Sequence, residues 1–198
     1  MIEFKAFPKI PRLKREMIIS EKIDGTNAQV FITTIPADYV DEALIHKWQT
    51  DDAKTWGMWA GSRTRWITPK DDNYGFAKWV EANAEGLKDL GPGSHFGEWW
   101  GEGIQRRYGI VGKKFSLFDV KRWGETRPAC CDVVPVLYKG DFSLGEVMLN
   151  IGVLKKMGST ASPGFMRPEG VVVHHLASGQ MFKMTIEGDE KPKGESNA

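Results

Sequence analysis

Glu21-Lys22-Ile23-Asp24-Gly25-Thr26-Asn27 is the stretch on which the reading of the chain turns. Met17-Ile18-Ile19 precedes it and Val30-Phe31-Ile32 follows it. Both triplets are apolar and rich in β-formers, so strands are predicted over about 16–22 and 27–34, joined as a hairpin around Lys22. Gly25 permits a tight turn and a close approach by a ligand. The stretch therefore sets an amine and a carboxylate beside one turn. An amine attacks only when neutral, and an ordinary lysine titrates near ~10.4. Burial and neighbouring cations lower that value, so a reactive lysine belongs in a cleft among other positive groups. The same residues also read as a strand, a solvated lysine and a plain Asp-Gly turn, and the rest of the chain has to choose.

The chain has 198 residues, 41% of them hydrophobic. That suits one domain over 1–186 followed by a polar, apolar-poor tail at 187–198. No apolar run reaches the ~18 residues of a membrane span. No long apolar core follows Met1-Ile2-Glu3-Phe4-Lys5, so no signal peptide is predicted. Cys130 and Cys131 are adjacent, which fits neither a zinc-ligand spacing nor a disulfide framework; a reducing, cytoplasmic setting is expected. The net charge of +1 excludes a globally basic nucleic-acid binder. Locally, however, Arg106, Arg107, Lys113, Lys114, Lys121 and Arg122 face a single Asp119, with Trp99, Trp100, Tyr108 and Trp123 flanking or interleaved. Basic groups contact phosphates and aromatic faces accept bases. A solvated basic loop above a tryptophan core explains the same residues equally well.

Taken in order, residues 1–15 carry Pro8, Pro11 and five basic residues and read as an irregular lead-in. Residues 35–56 read as a polar insertion with a short helix near 38–48, followed by a strand over Trp56–Ala60. Phe76, Trp79, Val80, Leu87 and Leu90 recur at helical spacing, which predicts a helix within 73–90, capped by Asn73 and stopped at Gly91. Strands are expected at 96–101 and 115–120, and an extended piece at 133–138. Ser143-Leu144-Gly145-Glu146 is a capping box; it opens a helix with Leu144, Val147, Met148, Ile151 and Leu154 on one face, ending at Gly158. A terminal hairpin over 169–173 and 180–184 turns near Ser178-Gly179. Strands with two interspersed helices make an α+β fold, pictured as two antiparallel sheets enclosing a cleft.

Six short patterns fall in one order: Lys22-Ile23-Asp24-Gly25; Ser62-Arg63; Gly97-Glu98; Phe115-Ser116-Leu117-Phe118-Asp119-Val120; Pro168-Glu169-Gly170-Val171-Val172; and Phe182-Lys183. The first has the K-x-D-G form of the covalent nucleotidyltransferases, the ATP-dependent ligases and mRNA capping enzymes. The ordered set resembles the motif series of the ATP-dependent RNA ligase 2-like family, which includes RNA-editing ligases and many phage ligases. The resemblance runs from about residue 16 to 186. It implies an adenylyltransferase core, ATP-grasp-like, with helices flanking two sheets around a nucleotide cleft.

The resemblance also implies roles. Lys22 would become adenylylated, with Glu21 and Ile23 beside it against the nucleotide. Asp24 would hold the lysine or join the metal site. Arg63 would contact the nucleotide sugar and the polynucleotide end, with Arg65 as its competitor. Glu98 would accept from ribose hydroxyls, and Phe118 would stack on adenine, with Phe115 competing. Glu169 would bind Mg²⁺ or Mn²⁺ near the α-phosphate, and Lys183 would neutralise that phosphate. Taken singly, these residues also read as a turn aspartate, a surface arginine, a strand-end ion pair and a core phenylalanine. The expected cofactors are ATP and a divalent metal. The expected partner is RNA, as nicked duplex or RNA/DNA hybrid, bound by a monomer. Arg106, Arg107, Lys113 and Lys114 are expected to grip it, needed more for end-joining than for self-adenylylation.

Two departures stand out. Many relatives carry a second lysine two residues after Lys183, where this chain has Thr185; Lys191 or Lys193 in the tail are the substitutes on offer. The chain also leaves no room for the OB-fold or helical domain that larger relatives add, which implies a nucleotidyltransferase core alone. Rival readings are a DNA nick ligase on the same core, a capping guanylyltransferase, and a non-catalytic nucleotide- or RNA-binding relative.

Overall fold

The computed structural model describes residues 2–189. The candidate tail lysines Lys191 and Lys193 lie outside them. The predicted α+β architecture of two antiparallel sheets is present. Strands β1 (Glu16–Lys22), β9 (Val136–Asp141), β10 (Gly170–His175) and β11 (Gln180–Thr185) form the smaller sheet, in the order β11-β10-β1-β9. The larger sheet runs β3 (Leu44–Gln49), β4 (Thr55–Gly61), β2 (Thr26–Ile35), β6 (Gly93–Gly101), β7 (Lys113–Leu117) and β8 (Asp132–Val133), with β5 (Trp66–Ile67) paired to β4. All pairings are antiparallel except β7 with β8.

The predicted hairpin around Lys22 does not form. β1 pairs with β9 and β10, whereas β2 pairs with β4 and β6. Ile23-Asp24-Gly25 is instead the crossing from one sheet to the other. A three-residue link has hairpin length, and two flanking apolar strands say nothing about their partners. Gly25 is required here by space. A Cβ would lie 2.5 Å from the Trp99 carbonyl oxygen and 2.8 Å from Trp100 Cβ, so β6 can pass this close only to a glycine.

Three clusters hold the molecule together. Under the larger sheet, Ala28, Val30 and Ile32 of β2 and Met58 and Ala60 of β4 meet Phe76, Val80, Leu87 and Leu90. Under the smaller sheet, Met17, Ile19, Val171 and Val173 meet Val147, Ile151 and Leu154 of helix α4 (Leu144–Met157). Between the sheets, behind the Ile23 crossing, lie Ile23, Trp100, Tyr108 and Val134. Period-two alternation gives β1 and β10 one face for the core and the other for the cleft.

The polar stretch 38–48 holds no helix; it leads into strand β3, whose Trp48 stands opposite Trp56 of β4. Cross-strand aromatic pairing outweighs the weak helical pattern there. The helical stretch 73–90 is broken at Asn83 into α1 (Phe76–Ala82) and α2 (Ala84–Leu87), then a 3₁₀ turn at Lys88–Leu90. Its start is held by Asp72, which accepts from the Ala77 and Lys78 N–H groups; Asn73 instead donates to Thr26 Oγ1. After the short α3 (Val120–Trp123), helix α4 begins as predicted, with Ser143 Oγ accepting from the Glu146 N–H at 3.4 Å. Leu144 and Met148, expected on its buried face, are exposed; only the Val147–Ile151–Leu154 ridge reaches the sheet. No helix among the described residues is long and apolar enough to cross a membrane.

Candidate active site

The cleft between the sheets is a cavity of about 450 Å³, lined by Lys22, Ile23, Asp24, Arg63, Glu98, Phe118 and Lys183 among others. Lys22 ends β1, directly across from Gly170 of β10. Its Nζ lies 2.5 Å from Glu169 Oε2, with the lysine side chain 20% exposed and the carboxylate 8%. An ion pair this short and this sheltered resists solvent screening and fixes the amine in the cavity. Residues 147 positions apart in sequence meet because β1 and β10 are neighbours.

Asp24 is paired with Arg106. Its Oδ2 accepts from Arg106 Nε at 3.0 Å, and Arg106 also donates to the Arg167 carbonyl. The Asp24 N–H donates to the buried Tyr108 hydroxyl at 2.9 Å, and the Gly25 N–H donates to Glu98 Oε1 at 3.0 Å. The crossing is therefore clamped from β6 and from the loop that follows it. Gln105, Arg107 and Tyr108 in that loop have φ of 42°, 62° and 49°, the left-handed region that non-glycine residues seldom occupy. Glu21 turns the other way, as alternation requires. Its buried carboxylate accepts from Ser159 Oγ, and from the Thr160 and Ala161 N–H groups at 2.7 and 2.9 Å. Burial raises its pKa, and these three hydrogen bonds act against the rise.

Arg63 lines the cavity, whereas Arg65 forms a two-pronged pair with Asp71 at 2.6 and 3.0 Å outside it. Phe118 likewise lines the cavity while Phe115 is fully buried against Phe76 and Trp79. Lys183 is exposed on β11 opposite Val172, on the cavity side; Thr185 bonds instead to the Glu187 carbonyl.

The predicted basic-aromatic patch is dispersed. Arg106 belongs to Asp24, Lys113 donates to the Tyr74 carbonyl at 2.7 Å, and Lys114 pairs with Asp132 at 3.1 Å. Consecutive residues on β7 must point to opposite faces, so Lys113 and Lys114 cannot act side by side. Trp99, Trp100, Tyr108 and Trp123 are all buried, which settles them as core. Arg107 stays exposed.

Cavity residues outside the opening stretch and the six patterns are Ile18, Ser20, Val134, His174 and Met181. Strand alternation supplies the signal for Ser20 and His174: each shares a face with Lys22 or Val172, two residues away.

Burial raises the Glu98 pKa to about 7, with Glu169 and Asp24 adding to the rise and Lys22 and the Gly25 N–H opposing it. Its unfolded value is near 4.5, so the stability it contributes is full below that pH and is lost as pH rises through about 7. Glu98→Gln keeps the acceptor for Gly25 and removes the charge. The parent is expected to lose up to roughly 3 kcal/mol against this variant between pH 5 and pH 8. Urea unfolding of both at several pH values measures the difference, and a pH-independent gap would contradict it.

The two-sheet fold is shared with solved RNA ligases. A Naegleria gruberi RNA ligase mutant with ATP and Mn matches at a TM-score of 0.56 and 18% identity, over 88% of this chain and 50% of that one. A second mutant with AMP and Mn matches at 0.56, and the same ligase with PPi at 0.55, each at 18% identity over 87% of this chain and 50% of the other. The chain thus spans about half the length of these ligases. A comparison with curated proteins returns no significant match. The RNA ligase family model matches residues 15–185, and the chain belongs to the RNA ligase family.

Proposed function

We propose that the chain is the nucleotidyltransferase core of an ATP-dependent RNA ligase acting through a lysyl-AMP. The observation that carries this reading is the Lys22–Glu169 contact, inside a cavity that also presents Glu98, Phe118, Arg63 and Lys183. A solvated lysine beside a plain turn has no reason to be held this way.

Neutral Lys22 Nζ attacks the α-phosphorus of ATP. An N–P bond forms, the bond to the bridging oxygen of pyrophosphate breaks, and the amine gives up a proton. An oxygen of the RNA 5′-phosphate then attacks the same phosphorus, and the N–P bond breaks with the nitrogen regaining a proton. Finally a 3′-hydroxyl attacks the activated 5′-phosphorus, its proton is lost, and AMP leaves. Covalent catalysis divides one difficult displacement into easier ones. Phe118 and Val172 flank the base, Glu98 takes the ribose hydroxyls, and Arg63 and Lys183 face the phosphates.

Among the described residues no three His, Cys, Asp or Glu side chains form a cage for a metal. A hard divalent cation held mainly by phosphate oxygens and water asks for only one or two carboxylates, and Glu169 is the fitting donor. Asp24, also a candidate, is committed to Arg106. When bound, Mg²⁺ or Mn²⁺ supplies positive charge against that developing on the phosphates. The Naegleria gruberi structures with ATP or AMP and Mn support this pairing of ligands.

Intact-mass measurement after incubation with ATP and Mg²⁺ tests the reading. The parent is expected to gain one AMP with ATP and nothing with GTP, and to seal a nick whose 3′ side is RNA. A GMP adduct would make it a guanylyltransferase. Equal sealing of an all-DNA nick would make it a DNA ligase. No adduct with either nucleotide would leave a binding module.

A further inference from the structure

We propose that a groove between the β3–β4 hairpin and the Lys88–Leu90 turn docks the N-terminal arm, residues 2–10, of a second copy of this chain. Each copy has one arm and one groove, so two reciprocal dockings close a symmetric dimer. The proposal does not depend on what the nucleotide cleft binds.

The groove is a cavity of about 710 Å³, lined by Ile32, Trp48, Asp51, Asp52, Trp56 and Pro92 among others. Ile32 lies six residues along β2 from the cleft-lining Thr26, about 20 Å at strand rise, so groove and cleft are separate. Trp48 of β3 stands opposite Trp56 of β4, their rings nearly parallel with centroids 6.2 Å apart, and both are only half-buried. The indole N–H of Trp56 is buried without a hydrogen-bond partner among the described residues, a cost that an arriving acceptor would offset. The rim carries a net negative charge. Lys88 is held by Glu85 at 2.7 Å and Asp52 by Lys54 at 2.5 Å, whereas the exposed Asp51, in the turn between β3 and β4, has no ion pair among the described residues.

The arm has the complementary chemistry. Residues 2–10 are exposed throughout, belong to no helix or strand, and make no hydrogen bond among the described residues. Ile2, Phe4, Phe7 and Ile10 are each at least 79% exposed, more apolar surface in one short segment than a lone molecule ordinarily leaves in water. Lys5 and Lys9 have no ion pair among the described residues. Pro8 fixes its own φ and biases Phe7 to extended backbone, so the arm loses little freedom on docking. Aromatic-lined grooves take extended proline-containing segments of this kind. Phe7 and Pro8 pack on the two indoles, a backbone carbonyl left free by the extended chain accepts from Trp56, and Lys5 and Lys9 meet Asp51. The arm leaves its own chain beside Leu13, which lines a different cavity with Phe142 and Phe182 of the smaller-sheet side. Nine extended residues then reach about 30 Å outward, enough to lie along a neighbour's groove.

Sedimentation equilibrium of the full chain from low- to high-micromolar concentration tests this. A monomer–dimer equilibrium is expected, and a synthetic peptide of residues 2–15 should dissociate the dimer. Phe7→Ser with Pro8→Ser should abolish association and leave thermal unfolding of the monomer unchanged, since neither residue is buried. Trp48→Ala should weaken association thirtyfold or more, the scale of an interface hot spot. Trp48 also packs against the core, so Asp51→Lys, an exposed change, carries the comparison if that variant fails to fold; it should weaken association about two- to fivefold at low salt, the scale of an exposed ion pair. A chain that stays monomeric at high-micromolar concentration overturns the proposal. So does a dimer that survives the arm variant, or one that neither Trp48→Ala nor Asp51→Lys weakens.

Discussion

Lys22→Ala is expected to give a protein that never acquires an AMP adduct, with self-adenylylation down by roughly 10⁴-fold or more, the scale seen when other covalent nucleophiles are removed. In the proposed mechanism the Lys22 amine forms the bond to phosphorus in the first step. Truncation also leaves Glu169 sheltered without its cation, which costs stability and confuses the result. Lys22→Arg separates the two effects. A guanidinium keeps Glu169 paired but stays protonated and cannot attack. Both variants should therefore lose the adduct, and only Lys22→Ala should lose stability. RNA already carrying a 5′-AMP needs no lysine nucleophile, so both variants should retain much more sealing on that substrate than on ordinary 5′-phosphate ends. Intact mass, thermal unfolding and gel-based sealing read the three outcomes. An adduct on Lys22→Ala would place the chemistry on another residue.

Glu169→Gln has the second-largest expected effect. The change keeps size and one acceptor oxygen but removes the charge that holds Lys22 and would hold the divalent cation. A loss of about 10²–10³-fold in adenylylation rate is expected, comparable to deleting one preorganised electrostatic group elsewhere. The half-saturating Mn²⁺ concentration should rise as well. Single-turnover adduct formation across a metal titration separates the two contributions. A faster rate in Glu169→Gln would mean that the carboxylate chiefly restrains Lys22.

The relation of Arg106 to Asp24 changes what the basic residues can be asked to do. An arginine that neutralises the Asp24 carboxylate and ties down the Arg167 carbonyl supports the crossing. Its loss should therefore reach adenylylation as well as sealing. The basic run from 106 to 114 looked continuous because sequence distance hides direction. Two strand neighbours point apart, and a tight loop turns Arg106 inward.

Local chemistry was legible where the residue type alone carries it. Lys22, Glu98, Phe118, Glu169 and Lys183 follow the order of the family's motifs, the structure gathers them at one cleft, and apolar alternation located most strands. Choices between near neighbours were not legible. Arg63 against Arg65, and Phe118 against Phe115, differ only in which face or loop tip they occupy, and each was resolved by a competing partner: Asp71 for Arg65, the Phe76–Trp79 cluster for Phe115. The helix expected near 38–48 failed for a related reason, since β3 exists by virtue of β4.

The residue types of this chain and their order were enough for the α+β class and the family. They could not say that β1 and β2 part company at Gly25, that Glu169 reaches Lys22, or that His174 shares their cavity. Strand pairing is a contact between distant segments, chosen by how whole faces bury and how closely backbones approach. No periodicity within a single strand encodes its partner.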